Sequence, residues 1–188
     1  MFLKDQKELK TAITGLPVKE KDKLLLRLIA KDKVLTEHLH FKLLEDPSDL
    51  GWRQQALEEE ITTAIQGLKF GAKVGSREAL VLLRRLNGRV NHHYKVTKDP
   101  QTDAELRLLL LELIPVDYNE SVFSSLGKYN ERLKTYFLRS VLALYKKYVK
   151  LHEDLQYDLN EKMNSILDKI IREKLHKTAA ELGLPNQV

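Results

Sequence analysis

The stretch that most constrains the fold is a leucine-rich run near the middle of the chain. Residues Ala104–Ile114 hold six leucines in eleven positions. The run is too short to cross a bilayer, which needs roughly 20 apolar residues, and it lacks the alternation of β-branched residues that favours a strand. On a helical wheel Glu105 and Glu112 share one line, Arg107 lies roughly opposite, and leucines fill both flanks. We therefore expect Ala104–Ile114 to form a central helix, buried between neighbours.

Helical periodicity continues through the C-terminal third of the chain. Lys128–Leu182 contains no proline or glycine, and its apolar residues recur at steps of three and four. As one helix it would be about 80 Å long, at about 1.5 Å per residue, which is too long for a compact domain of this size. We expect two helices, with a turn near His152–Asp158 and a capping box formed by Asp158 and Glu161.

The pattern as a whole predicts an all-α fold. Spacers of two or three residues between helices are typical of antiparallel hairpins, and no stretch alternates with period two. We expect stacked antiparallel helical hairpins, as an irregular bundle or a short α-solenoid-like array of about 7–9 helices with no sheet. The chain is expected to form one domain, 1–188. The alternative is a division into 1–68 and 76–188, joined by the glycine-rich linker 67–75.

Several residues have the character of helix caps. We expect Asp32, Ser76 and Asn119 to begin helices, the last of them a short helix through Leu126. Thr102 and Glu105 have capping-box spacing before the central helix, and Gly183 precedes Leu184 and Pro185 where the last helix should end. The third helix, Lys33–Glu45, is expected to bury these apolar side chains: Val34, Leu35, Leu39, Phe41, Leu43 and Leu44.

Composition excludes some chemistries. The 188 residues are 43% hydrophobic and 31% charged, which is typical of a globular protein with a real core. The absence of cysteine excludes disulfides, thiolate catalysis and Cys-ligated metals. The N-terminal residues lack the apolar core of a signal peptide, and no segment is long enough to cross a membrane. We expect a soluble, cytoplasmic protein without a membrane partner.

The positive charge is concentrated in one segment. Lys69–Lys98 holds eight basic residues and one acid, Glu78, whereas the remaining residues include 24 basic and 26 acidic ones. On the wheel of the fifth helix, much of this charge lies on one side, away from the leucines. Either acids of the chain, such as Glu58–Glu60, or an anionic partner would offset the repulsion. The candidate anion- or nucleic-acid-binding residues are Lys69, Lys73, Arg77, Arg84, Arg85, Arg89, His92 and Lys95.

A second basic line follows the seventh helix. Tyr129 and Tyr136 lie at its edge, and cations interleaved with aromatic rings can bind single-stranded nucleic acid. The simpler interpretation is that these tyrosines border the core and keep their hydroxyls in water. The residues of this line are Arg132, Arg139, Lys146 and Lys150.

The segment Gly67–Ser76 has some features of a phosphate-binding loop. Its three glycines allow close approach of the backbone, and Ser76 opens a helix. No Gly-Lys-Ser/Thr sequence closes it, and a helix precedes it where a phosphate-binding loop would follow a strand. We favour the interpretation as an interhelical linker.

Metal and catalytic motifs are weak. His38 and His40 point in different directions on a helix, as do His92 and His93. Glu173 and His176 form one Glu-x-x-His pair, whereas a di-iron bundle needs two. We therefore expect no metal and no cofactor. No nucleophile motif or dinucleotide fingerprint is present, so an enzyme is the least favoured of three functions.

These patterns favour a non-catalytic helical interaction or scaffold module. Its partner would be a protein segment or a second copy of the chain, bound in grooves between hairpins. The alternative is a protein that binds nucleic acid or a phosphate ligand through residues 69–98.

Overall fold

The structure is a computed structural model that describes residues 5–70, 75–118, 120 and 127–188, with only the main chain of 69 and 70. Within these ranges the chain forms nine helices and no strand, as the sequence predicts. Asn119 and the predicted short helix to Leu126 lie outside the described residues. The helices are α1 (Lys7–Gly15), α2 (Val18–Ile29), α3 (Lys33–Leu44), α4 (Pro47–Phe70), α5 (Ser76–Thr97), α6 (Pro100–Leu113), α7 (Gly127–Tyr148), α8 (Glu153–Arg172) and α9 (His176–Glu181).

Contacts between residues divide the chain into two compact units, Met1–Glu45 and Asp46–Val188. The division falls between α3 and α4, whereas α4 and α5, which flank the glycine-rich segment, contact each other within the second unit. Whether the whole chain acts as a single domain stays a prediction.

The first unit consists of α1–α3 and has no buried side chain in any of these helices. Asp32 caps α3 as predicted, accepting a hydrogen bond from Leu35 N at 3.1 Å. The predicted burial on α3 is wrong: Leu43 and Leu44 are 70% and 75% exposed. Three helices of 9–12 residues enclose too little volume for a dry core.

In the second unit, α6 is the central helix. It contacts α4, α5, α7 and α8, and Leu106, Leu108, Leu110 and Leu111 are buried. The prediction of a helix packed between neighbours is confirmed. Each surrounding helix contributes an apolar stripe at steps of three and four, such as Leu133, Phe137, Val141 and Leu144 on α7.

The start of α6 differs from the prediction. Asp99 is the N-cap, accepting a hydrogen bond from Thr102 N at 2.7 Å, and Pro100 opens the helix. The predicted capping box of Thr102 and Glu105 is therefore wrong. An acidic cap followed by proline satisfies the first turn better, because proline has no N–H to leave unpaired and its φ already suits a helix.

The C-terminal region contains three helices where we expected two. The predicted break after α7 is confirmed, but His152 caps α8, and Asp158 and Glu161 lie inside that helix. A second break follows Arg172, where Lys174 adopts φ 57° and Leu175 N bonds to Ile170 O at 2.9 Å. Helices usually end at a glycine in this left-handed conformation, so a lysine at position 174 gave no indication of a helix end. The apolar periodicity continues across it, which is why the break was not predicted. Gly183, with φ 79°, ends α9 as predicted.

Candidate functional site

The cations of α5 point toward two different neighbours. Buried leucines face the core, and residues seven apart share one line along the helix. Arg77 and Arg84 lie beside α7, where their guanidinium groups stack on its tyrosines. Arg89 lies beside α4 and pairs with Glu60. The basic face predicted from the wheel is thus divided by the helices that pack against it.

Some of the cations of α5 and α7 lie along a line of tyrosines between the two helices, which we name the α5–α7 seam. Arg77 and Arg132, from opposite helices, stack on the Tyr129 ring with 5.7 and 5.8 Å to its centroid. Arg84 stacks on Tyr136 at 5.4 Å. At the far end, Lys147 of α7 lies 4.7 Å from the centroid of Tyr94 on α5. The seam consists of Arg77, Arg84, Tyr94, Tyr129, Arg132, Tyr136 and Lys147.

The arginines of the seam are positioned by aromatic rings and not by acids. Among the residues that the structure describes, no carboxylate forms an ion pair with Arg77, Arg84 or Arg132. All three side chains are exposed. A cation–π contact uses none of the guanidinium N–H groups as a hydrogen-bond donor, so these groups can still donate to a ligand. The seam therefore presents oriented donors with a positive potential.

A buried ionic network lies beneath the seam. Asp103, only 1% exposed, accepts a hydrogen bond from Arg107 Nε at 3.0 Å and pairs with Lys147 Nζ at 2.6 Å. Arg107 also donates to the amide oxygens of Asn87 at 2.8 Å and Asn91 at 2.6 Å. One carboxylate thus faces two cations, so the network keeps a positive charge.

This network connects to the aromatic residues of the seam. Asn87 Nδ2 donates to the Tyr136 hydroxyl at 3.0 Å, and Lys147 joins Asp103 to the ring of Tyr94. Sequence analysis did not identify Asp103, Asn87 or Lys147 as site residues. The available signal was an Asp–Arg pair four residues apart, Asp103 and Arg107, in a helix otherwise rich in leucine.

The other residues that the sequence predicted to bind an anion lie outside the seam. Arg89 donates to Glu60 with Nε and Nη2 both at 3.1 Å, so one of the predicted acids does neutralise part of the basic segment. Arg85 and Lys95 are exposed, and His92 lines a pocket between α4 and α5. Lys73 lies outside the described residues, and Lys69 is described only by its main chain.

The second basic line that the sequence predicted on α7 is also divided. Only Arg132 belongs to the seam. The other three residues are exposed: Arg139, Lys146 and Lys150.

The N-terminus of α5 holds a carboxylate of the chain itself. Glu120 accepts hydrogen bonds from Ser76 N at 2.9 Å and from Ser76 Oγ, and Glu78 accepts one from Gly75 N at 3.2 Å. Gly75 is the N-cap, so the prediction of Ser76 as the cap is wrong by one residue. Burial, then Glu120 and Glu78, raise the pKa of the nearby Tyr118 to about 12. An anion would have to displace Glu120 here, which argues against the phosphate-loop interpretation.

The described part of the chain has the arrangement of neither a metal site nor a membrane span. No group of three or more His, Asp or Glu side chains there is arranged to hold a metal ion. Among the described helices, none combines the length and the apolar character needed to span a bilayer.

Comparison of the chain with known protein families, with curated proteins and with solved structures finds no match.

Proposed function

We propose that the protein is a binding module for a polyanion, namely a single-stranded nucleic acid, which lies along the α5–α7 seam. The observation that carries the proposal is the shared stacking of Arg77 and Arg132, from two helices, on Tyr129. Single basic helix faces are common on protein surfaces, but arginines from two helices that share one ring on a line of tyrosines are typical of a surface that binds a nucleic-acid backbone.

The length of the seam favours a polymer over a small anion. Arg77 and Tyr94 are 17 residues apart on one helix, which is about 25 Å at about 1.5 Å per residue. Arg77, Arg84 and Arg132 lie toward one end of this line and Lys147, which is bound to Asp103, at the other, so several phosphates of one strand could lie along it. A single strand can follow the line between two helices, whereas a rigid duplex would contact only the side chains that protrude furthest.

The contacts of Tyr129 also indicate which part of a nucleic acid the seam would recognise. Two guanidinium groups already lie 5.7 and 5.8 Å from the centroid of the Tyr129 ring, so a base would compete with them for this ring. Phosphate contacts should therefore dominate, giving steep salt dependence and weak sequence preference.

Fluorescence anisotropy with a short labelled DNA strand of mixed sequence, measured over a range of salt concentrations, tests the proposal. Changing Arg77 and Arg84 together to glutamine should weaken binding and reduce the salt slope by about 1 to 1.5 units, since each phosphate contact to a single strand contributes about 0.7. The matched control changes Arg139 and Lys146 to glutamine, which removes the same charge outside the seam. Equal losses in both variants, or no affinity near physiological salt, would contradict the proposal.

A second candidate is self-association through the first unit. On α2, Leu25, Leu26 and Leu28 are 56%, 64% and 54% exposed, an unusual density of apolar surface. Lys21 and Asp22 adjoin an apolar groove of about 270 Å³ between α1 and α2. Opposite charges beside one apolar face are self-complementary in a two-fold dimer, so the partner of this face would be a second copy of the chain.

Light scattering after size-exclusion chromatography distinguishes this candidate. A dimer that becomes a monomer when Leu25 and Leu28 are changed to lysine would support it. Tyr157→Lys, at an 83% exposed position on α8, is the control and should leave the mass unchanged. A parent protein that stays monomeric at high concentration would exclude it.

A further inference from the structure

The centre of the α5–α7 seam contains two asparagines of α5. Arg84, Asn87, Asn91 and Tyr94 follow one another at steps of three and four residues, so all four lie on one side of this helix. Arg84 and Tyr94 are about 15 Å apart along the helix, at about 1.5 Å per residue. The two asparagines occupy this interval, in which the seam itself has no arginine.

A buried arginine fixes the direction in which both amides face. Arg107 is 7% exposed and donates to the Oδ1 atoms of Asn87, at 2.8 Å, and of Asn91, at 2.6 Å. A guanidinium group has no acceptor, so the oxygen of each amide must face it and the NH₂ group must point away. The two asparagines therefore present donors, and not acceptors, on the side away from Arg107.

Some of these donors are not used within the described part of the chain. The amide of Asn87 donates to the hydroxyl oxygen of Tyr136 at 3.0 Å, which leaves the hydroxyl hydrogen to donate elsewhere. Asn91 is exposed and Tyr136 is half-buried. No residue that the structure describes accepts a hydrogen bond from the Asn91 amide or from the Tyr136 hydroxyl. A ligand at this place must therefore supply acceptors.

The charge beneath these donors favours an anion. One carboxylate, that of Asp103, faces two cations, Arg107 and Lys147, so the network carries one excess positive charge. Arg107 is buried, and salt screens the field of a buried charge much less than that of an exposed one. Neutral N–H and O–H donors in front of a buried cation suit an oxyanion such as a phosphate.

We propose that the centre of the seam binds one phosphate group of the strand through the Asn91 amide and the Tyr136 hydroxyl, with Arg107 as a positioning residue. The donors belong to one cluster, because both asparagine oxygens bind the same guanidinium group and Asn87 binds Tyr136. The arginines at one end of the seam hold the strand by charge, whereas this site holds it by hydrogen bonds of fixed direction. The site rests on the proposed function and adds a contact that needs no exposed cation.

Removal of one hydroxyl tests the site. Tyr136→Phe keeps the ring that Arg84 contacts and should weaken binding of the labelled DNA strand about fivefold, since it removes one hydrogen bond. No charge is lost, so the salt slope should equal that of the parent, whereas a displaced Arg84 would reduce it. Tyr145→Phe is the control, because Tyr145 is also half-buried but lies on the opposite side of α7; it should bind as the parent does.

Asn91→Asp separates a role in binding from a role in stability. The aspartate still accepts from Arg107, now as an ion pair, so the urea midpoint should stay the same or rise. The loss of the N–H donors should nevertheless weaken strand binding about tenfold. Ala143→Asp adds the same charge at an exposed position on the side of α7 that carries Tyr136, and should weaken binding distinctly less. Equal losses in the two variants would overturn the assignment of Asn91.

NMR spectroscopy tests the site with a probe other than the strand. Inorganic phosphate should shift the side-chain NH₂ resonances of Asn91, and sodium chloride at the same ionic strength should not. A strand that binds through Arg77 and Arg84, but with full affinity in Tyr136→Phe and with unshifted Asn91 resonances, would overturn this site and leave the proposed function standing. If the parent binds neither the strand nor phosphate, both are wrong.

Discussion

Lys169 donates a hydrogen bond from its ammonium group to the carbonyl oxygen of Leu111, 2.9 Å away. The same ammonium group binds the carbonyls of Glu112, at 2.8 Å, and of Ile114. These are main-chain acceptors at the end of α6, which helical hydrogen bonds no longer satisfy. A buried cation from α8 thus caps the central helix and also opposes the negative end of its dipole.

Replacing Lys169 with methionine should lower the free energy of unfolding by about 3 kcal/mol, since methionine keeps the apolar stem but leaves buried carbonyls without a donor. Urea denaturation measures the change. Lys162→Met, at an exposed position of the same helix, should stay within about 0.5 kcal/mol of the parent. Equal effects of the two changes would show that the cap contributes no stability.

The burial of α6 can be tested at two adjacent leucines. Leu110 is 1% exposed, whereas Leu109 is only partly buried. Leu110→Ala should therefore cost about 2–5 kcal/mol of unfolding free energy, and Leu109→Ala distinctly less. Chemical denaturation of both variants checks this, and the reverse order would mean that the helix is rotated about its axis.

The ionic network beneath the seam should be sensitive to loss of its only carboxylate. Asp103→Asn leaves Arg107 buried without its counter-charge and should cost about 3–5 kcal/mol of unfolding free energy. Asp168→Asn, on the exposed side of α8, serves as the control. If Asp103 and Arg107 are coupled, the double change to leucine should cost less than the sum of the single changes, which a double-mutant cycle measures.

The lowered pKa of the buried His93 should make the stability of the protein depend on pH. Its pKa in the folded protein is lowered by burial and next by Arg53; Asp103 and Asp99 oppose this only in part, and His92 adds a smaller lowering. The unfolded chain, with a histidine pKa near 6.5, therefore binds the proton more readily. Stability should fall as the pH is lowered from about 6.5 toward the folded pKa, and change no further from this group below it. Urea midpoints at several pH values should show this fall in the parent and a smaller one in His93→Phe. Parallel pH profiles would contradict it.

Replacement of glycine by alanine should have opposite effects on stability at Gly88 and at Gly183. A Cβ at Gly88 would meet no atom within 4 Å, so Gly88→Ala should raise the free energy of unfolding by about 0.5–1 kcal/mol by favouring the helix. Gly183 has φ 79°, and Gly183→Ala should lower the stability because alanine is strained there. Thermal melts distinguish the two. A destabilising Gly88→Ala would indicate that the backbone at this position approaches a partner closely.

Much of the fold was predictable because its signals are local. The leucines of Ala104–Ile114, the steps of three and four on α7 and α8, and the cap at Asp32 each depend on residues within a few turns of one another. The sequence did not identify Asp99 and His152 as helix caps, because another candidate cap lay a few residues away in each case: Thr102 for α6 and Asp158 for α8. Small differences in the geometry of the first turn decide between such candidates.

The site was only partly predictable. The sequence identified Arg77, Arg84 and Arg132 as candidates and noted Tyr129 and Tyr136 at the edge of a second basic line. It could not show that these residues meet, since that depends on how α5 and α7 are rotated against each other. It also grouped Arg89 with them, although Arg89 faces α4 and pairs with Glu60.

The sequence by itself determined that the chain is helical, that α6 is its most buried helix, and that its positive charge is concentrated in one segment. Only the tertiary structure decided which cations converge on the seam, that Lys169 caps a helix more than fifty residues away, and that His93 is buried at a pocket. The physical reason is that periodicity depends on the backbone of one helix. A stacked pair, a distant cap or a pocket depends instead on the rotation and spacing of two helices, which the packing of their side chains sets together.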